Sequence, residues 1–110
     1  MKKLVVSMLV FSLILVASSA VFAADKKTFA IVYPIVHPFF EPVTERAIEY
    51  GKEKGVKIIT KAPESTAVDQ QIEIMENLVS MKVDGIALCA TDPDALTPYL
   101  DKAMESGIPS

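Results

Sequence analysis

The chain has 110 residues, of which 51% are hydrophobic, and its formal net charge is −3. This acidic balance does not favour nucleic acid or anionic lipid as a partner, because both bind clusters of basic residues. The single cysteine excludes an internal disulfide, and with one histidine no Cys/His metal cluster is available. The composition therefore predicts neither a metal nor a cofactor.

The first 23 residues have the pattern of a secretory signal peptide. The basic pair Lys2-Lys3 precedes an apolar run, Leu4–Val16. Small residues follow over Ala17–Ala20, and then Val21-Phe22-Ala23, which has the pattern of a cleavage site. The apolar run is shorter than the ~20 residues that a transmembrane helix needs, which favours a cleaved signal over an uncleaved anchor. We expect cleavage after Ala23, which would export residues 24–110 without membrane insertion.

The rest of the chain alternates strand and helix patterns. Runs of strand-favouring residues predict strands over residues 28–33, 56–60 and 85–90. Helical spacing of apolar residues predicts helices over about residues 40–54, 68–81 and 93–106. The inward positions would be Val43, Ala47, Ile48 and Tyr50 in the first helix and Val68, Ile72, Met75 and Val79 in the second. The order β-α-β-α-β-α predicts an α/β fold, a three-layer doubly wound parallel sheet.

The third predicted strand is apolar throughout, which is typical of a strand covered on both faces. Cys89 lies in this run and is predicted to be a small buried hydrophobic residue. The chain then reaches Ile108-Pro109, which has the character of the start of a fourth strand. We therefore expect residues 24–110 to be a fragment of a larger domain.

The turn after the first strand is the first candidate site, because ligands of open α/β sheets bind at the carboxyl ends of strands. It carries His37, followed by Phe39 and Phe40 at the start of the first helix. Neighbouring helical residues differ by ~100°, so one ring can pack inward while the other projects. A projecting ring suits the C–H face of a sugar. The alternative, that both rings only pack, stays open.

No motif of an enzyme stands out in the sequence. Glycine-rich phosphate loops and a nucleophile elbow are absent from it. His37 lacks a visible orienting partner for general-base work. The pair Asp92 and Asp94 has the context of a helix start, so capping is favoured over metal binding or acid–base chemistry. No catalytic residue is predicted.

Several segments together resemble the periplasmic sugar-binding proteins of ABC importers, of the ribose-binding-protein type. The segments are His37-Pro38-Phe39-Phe40, Gly51 to Val56, Ala62 to Thr66, Gln71-Ile72-Glu73, Val83 to Ile86, Thr91 to Leu96 and Gly107-Ile108-Pro109. The match extends in register over nearly all of residues 24–110. The stretch Ala62 to Thr66 is most similar to members that bind rhamnose-like or autoinducer-2-like ligands.

The resemblance implies a partial first lobe of the periplasmic binding protein type I fold. It implies capture of a monosaccharide or related polar ligand for an ABC permease, and no enzymatic activity. In the family, the position matching His37 is often an asparagine that bonds the sugar, and the positions matching Phe39 and Phe40 contact it. The predicted ligand-binding set is His37, Phe39, Phe40, Tyr33 and Asp92. The alternatives are a piece of a secreted α/β enzyme, such as a hydrolase, and a ligand-sensing module of the same fold.

Overall fold

The computed structural model describes residues 26–110, and the predicted signal peptide lies outside the described residues. Strands and helices alternate in the described part, as predicted. The elements are β1 (Thr28–Val32), a 3-10 helix (Pro38–Phe40), α1 (Glu41–Lys54), β2 (Lys57–Lys61), α2 (Val68–Ser80), β3 (Gly85–Leu88) and α3 (Pro93–Glu105). The predicted order of elements is therefore confirmed, with boundaries that differ by at most two residues.

The three strands form a parallel sheet in the order β2-β1-β3. In its register Phe29 lies beside Ile58 on one side and Gly85 on the other. The chain leaves β1 for β2 and then crosses to the opposite side of β1 to form β3. Strand order thus reverses between β1 and β3, and at such a point the carboxyl ends of the strands part and leave a crevice.

One face of the sheet packs against α2 and α3. Side chains from all these elements form a core in which each residue is 6% exposed or less: Ala30, Val32, Met75, Leu78, Ile86, Leu96 and Ala103. This core fixes the two strands that border the crevice against the helices behind them.

The other face is covered by α1, which lies over β1 and β2. Gly51 is buried there, and a Cβ at this position would lie 2.6 Å from Cγ1 of Ile58, so glycine permits the close approach. The predicted inward stripe of α1 was partly wrong, since Val43 and Tyr50 are each 50% exposed. The helix instead turns the side that carries Gly51 and the half-buried Ala47 toward the sheet.

The prediction that the third strand is covered on both faces was also wrong. Ala87 and Cys89 are exposed, because α1 does not extend over β3 and no other helix among residues 26–110 lies there. Cys89 is therefore not the buried residue that its apolar neighbours indicated. After α3 the chain returns to β3, where Ile86 N donates to Pro109 O at 2.9 Å and Ile108 is buried. This pairing agrees with the expected start of a fourth strand.

Candidate ligand-binding site

The turn after β1 is tied to the segment that follows β2. Tyr33 N donates to Lys61 O at 2.9 Å, and Val36 N donates to Pro63 O at 3.0 Å. His37 has an extended backbone (φ −154, ψ 139) and begins the 3-10 helix. These main-chain hydrogen bonds therefore fix the conformation of the turn at the carboxyl end of β1.

His37 is exposed, and its side chain caps the 3-10 helix. Its Nδ1 accepts a hydrogen bond from Phe39 N at 3.1 Å. A neutral imidazole that accepts at one nitrogen carries its hydrogen on the other. The cap therefore selects the tautomer with Nε2–H, which is a hydrogen-bond donor beside the aromatic pair.

The two phenylalanines occupy different environments. Phe40 is half-buried and stacks on Tyr33, with ring centroids 4.5 Å apart and planes 19° apart. Phe39 meets Phe40 edge to face at 5.2 Å and 86°, and it is 74% exposed. Phe40 is therefore a packing residue, and Phe39 presents its ring to solvent.

Tyr33 lies beneath this pair and is 7% exposed. Its hydroxyl shares a hydrogen bond with Thr44 Oγ1 of α1 at 2.9 Å. A buried ring with a paired hydroxyl has little surface for a ligand. In this structure Tyr33 supports Phe40, and any contact between its own side chain and a ligand stays a prediction.

The loop after β3 carries Asp92, which is exposed. Its Oδ1 accepts hydrogen bonds from Asp94 N at 3.0 Å and Ala95 N at 3.2 Å, and Pro93 is the first residue of α3. The predicted capping role is confirmed. Among residues 26–110, no group donates to Oδ2 of Asp92, so this oxygen remains free to accept a hydrogen bond from a ligand.

Sequence reasoning missed Gln71, whose side chain joins the two loops. It is 0% exposed, and its Nε2 donates to Tyr33 O at 3.2 Å and to Cys89 O at 2.8 Å. Its Oε1 accepts from Thr91 N at 2.8 Å. A polar residue next to an apolar helical stripe is typical of a solvent-facing position, so the sequence alone gave no signal of this contact.

A groove of about 450 Å³ borders the β1 turn on the side of β2. That volume falls in the range of roughly 300–1,000 Å³ that small-molecule sites occupy. Of the predicted ligand-binding residues, the groove is lined by Tyr33, His37 and Phe40 but not by Phe39 or Asp92. Thr60 from β2 also contributes to the lining. The predicted residues thus cluster at one edge of the sheet, while the groove accounts for only part of the set.

The described residues meet neither the requirements of a metal site nor those of a membrane-spanning helix. Within residues 26–110, no group of three or more His, Cys, Asp or Glu side chains is placed to hold a metal ion. In the same part of the chain, no helix has the length and apolar character to cross a membrane.

The chain belongs to a known family. Residues 29–110 match the family described as "Periplasmic binding protein domain", which covers most of the chain and confirms the resemblance seen in the sequence. The family and the similar solved structures are binding proteins, and the parallel sheet of the described residues is that of a periplasmic binding protein type I lobe.

Similar solved structures are solute-binding proteins of ABC transporters. One from Clostridium phytofermentas, with bound L-rhamnose, is 32% identical, with a TM-score of 0.71 over 77% of this chain. One from Burkholderia graminis C4D1M, in complex with D-arabinose, is 31% identical, with a TM-score of 0.67 over 77% of this chain. One from Actinobacillus succinogenes 130z, with bound D-allose, is 26% identical, with a TM-score of 0.68 over 76%.

The chain spans only part of the length of these proteins. The aligned region covers 27%, 30% and 30% of the three structures, in the order given. Residues 26–110 therefore correspond to under a third of each relative.

Proposed function

We propose that this chain forms part of the sugar-binding lobe of an extracytoplasmic solute-binding protein that delivers its ligand to an ABC permease. The observation that carries the proposal is the exposed Phe39 ring at the carboxyl end of β1, fixed against Phe40 and Tyr33. An apolar ring this exposed, on a turn held by hydrogen bonds, is more useful to a ligand than to the core. The predicted signal peptide supports the periplasmic location.

The chemistry around Phe39 suits a hydroxylated ring. The aromatic face can pack against the C–H face of a sugar. His37 supplies an Nε2–H donor beside it, and Asp92 supplies a free carboxylate oxygen from the neighbouring loop. A few placed polar groups around an apolar surface are the usual composition of a small-molecule site.

We propose a monosaccharide as the ligand, with L-rhamnose as the first candidate. Two solved relatives that are more than 30% identical to this chain over the aligned region hold L-rhamnose and D-arabinose. The sequence of residues 62–66 points toward the rhamnose-like group as well. In L-rhamnose a methyl group replaces one hydroxymethyl group, which adds apolar surface that an aromatic ring can cover.

The described residues supply one wall of such a site. Binding pockets enclose roughly 70–90% of a ligand, and the exposed Phe39 and Asp92 have no facing wall within residues 26–110. The aligned share of the relatives, 27–30%, leaves ample chain for a second wall. We therefore propose that the full-length protein closes over the sugar from the opposite side.

Calorimetric titration tests the proposal. The full-length protein and residues 24–110 alone are each titrated with L-rhamnose, D-arabinose and D-allose, with L-leucine as a control ligand. The full-length protein should bind at least one monosaccharide with micromolar or lower Kd and should not bind leucine. Residues 24–110 alone should bind far more weakly. Full affinity in a monomer of residues 24–110 would contradict the one-wall account, and a full-length protein without sugar affinity would contradict the function.

A further inference from the structure

Strands β1 and β3 stop pairing at Pro34. The last hydrogen bond between them joins Cys89 N to Val32 O at 2.9 Å. In a parallel ladder the next step would join the N–H of residue 34 to Cys89 O, and Thr91 N to the carbonyl of residue 34. Proline has no N–H, so the first of these bonds cannot form.

The side-chain amide of Gln71 occupies the place of that missing step. Its Nε2 donates to Cys89 O at 2.8 Å, where the N–H of residue 34 would have donated. Its Oε1 accepts from Thr91 N at 2.8 Å, in place of the carbonyl of Pro34. The second hydrogen of Nε2 reaches Tyr33 O at 3.2 Å. Thr91 Oγ1 keeps only a long contact of 3.5 Å with Pro34 O.

The three partners fit an amide and no other common side chain. Two carbonyls require two donors, and one N–H requires an acceptor, all from a single buried group. A carboxylate offers only acceptors, an ammonium offers only donors, and a neutral imidazole offers one of each. The same pattern fixes the orientation of the amide, because a flipped group would place its oxygen against two carbonyl oxygens.

We infer that Gln71 is a positioning residue that sets the spacing of the two ligand loops, an inference that rests on the proposed sugar-binding function. The amide lies between the main-chain segments that follow β1 and β3, which would otherwise pair directly. It therefore holds the β1–β3 crevice open by a fixed amount. On one side it fixes the main chain of Tyr33, whose ring stacks on Phe40, and Phe40 in turn contacts Phe39. On the other side it fixes Thr91, the residue before Asp92. Gln71 is fully buried, so it acts on the ligand only through these loops.

The test compares Gln71→Met with Met75→Ala in the full-length protein. Gln71→Met keeps the side-chain length and removes every hydrogen bond. Met75 lies on the same helix, is also 0% exposed, and belongs to the core cluster, but its side chain makes no hydrogen bond to either loop. Both variants should lose stability, and sugar affinity is measured in conditions where both remain folded. We expect Gln71→Met to lose about tenfold or more in affinity, as loss of a group that orients ligand contacts typically does, while Met75→Ala keeps wild-type affinity.

Amide hydrogen exchange provides a readout that does not depend on the sugar. In Gln71→Met, the Thr91 amide should lose its protection while the Cys89 amide, bonded to Val32 O, keeps it. In Met75→Ala, the two amides should change together. If Gln71→Met does not fold, the sugar affinity of Gln71→Glu is measured in its place. A carboxylate keeps the acceptor for Thr91 N, so Thr91 should stay protected, but it removes both donors, so affinity should still fall.

The outcomes separate the two proposals. If the wild-type protein binds no sugar, the proposed function fails, and the exchange of Thr91 still decides whether Gln71 fixes the loop. Selective loss of Thr91 protection together with selective loss of affinity supports the inference. Wild-type affinity in a folded Gln71→Met protein, or equal affinity losses in Gln71→Met and Met75→Ala, would overturn it.

Discussion

The loops after β1 and β3 border the same crevice, yet different forces hold them. The β1 loop is organised by ring packing, from the buried Tyr33 through Phe40 to the exposed Phe39. The β3 loop is organised by hydrogen bonds, through Thr91 to Gln71 and through Asp92 to the start of α3. The aromatic and the polar side chains of the candidate site are thus placed by different contacts, while Gln71 is hydrogen-bonded to the main chain of both loops.

The largest expected effect comes from the ring-packed loop. Phe40→Ala removes a half-buried ring that contacts two others, so the free energy of unfolding should fall by about 2–3 kcal/mol, below the cost of a fully buried phenylalanine. Sugar affinity should fall as well, because Phe39 loses its support. Urea unfolding and calorimetric titration of the full-length protein measure both. Phe40→Leu, which keeps apolar volume, should recover part of the stability. Unchanged stability in Phe40→Ala would mean that the stack does not hold the turn.

A smaller effect is expected in the hydrogen-bonded loop. Asp92→Ala removes the cap of α3 and should lower the free energy of unfolding by about 1 kcal/mol. Asp92→Asn keeps a capping oxygen and should remain close to wild type in stability. If Oδ2 also accepts a hydrogen bond from the sugar, Asp92→Asn should still lose affinity. Wild-type affinity in Asp92→Asn would confine this residue to the cap, and equal stability of Asp92→Ala and wild type would remove the cap from the account.

Local sequence signals predicted the order of elements and the ends of several of them. Pro34 follows β1, and Gly55 follows α1 with a φ of 71°. Asp92 with Pro93 begins α3, as the sequence indicated. Each of these signals acts within a few residues of the chain, through a missing N–H, a left-handed backbone or a side-chain cap. Such effects do not depend on the rest of the fold.

Burial was harder to predict, because it depends on what passes over a residue. Val43 and Tyr50 are exposed because they lie on the side of α1 that faces away from the sheet. Cys89 is exposed because no helix within residues 26–110 covers that part of the sheet. For Gln71 the error was the opposite, because a polar residue in a position typical of the surface is fully buried. Its side-chain nitrogen donates to main-chain carbonyls 38 and 18 residues away. Helical periodicity cannot predict such distant hydrogen bonds.

The same difference between local and distant effects applies to the candidate site. The sequence located His37, Phe39 and Phe40 on one turn and Asp92 on the next loop, and the structure places them so. It did not predict which ring projects, because that depends on the position of Tyr33 beneath Phe40. Nor did it predict the groove beside β2, which requires the end of a strand more than 20 residues further along the chain.

The central claim is that the exposed Phe39 ring is a stacking platform for the sugar. Its most direct test is the Kd of the full-length Phe39→Ala protein for its sugar, measured by calorimetry together with the free energy of unfolding. Because Phe39 is 74% exposed, removing its ring should change stability by less than about 0.5 kcal/mol. Loss of an exposed stacking platform should weaken binding by about 1–3 kcal/mol, and Phe39→Tyr should retain most of the affinity. A Phe39→Ala protein that binds the sugar as tightly as wild type would contradict the claim, as would affinity that falls only in step with stability.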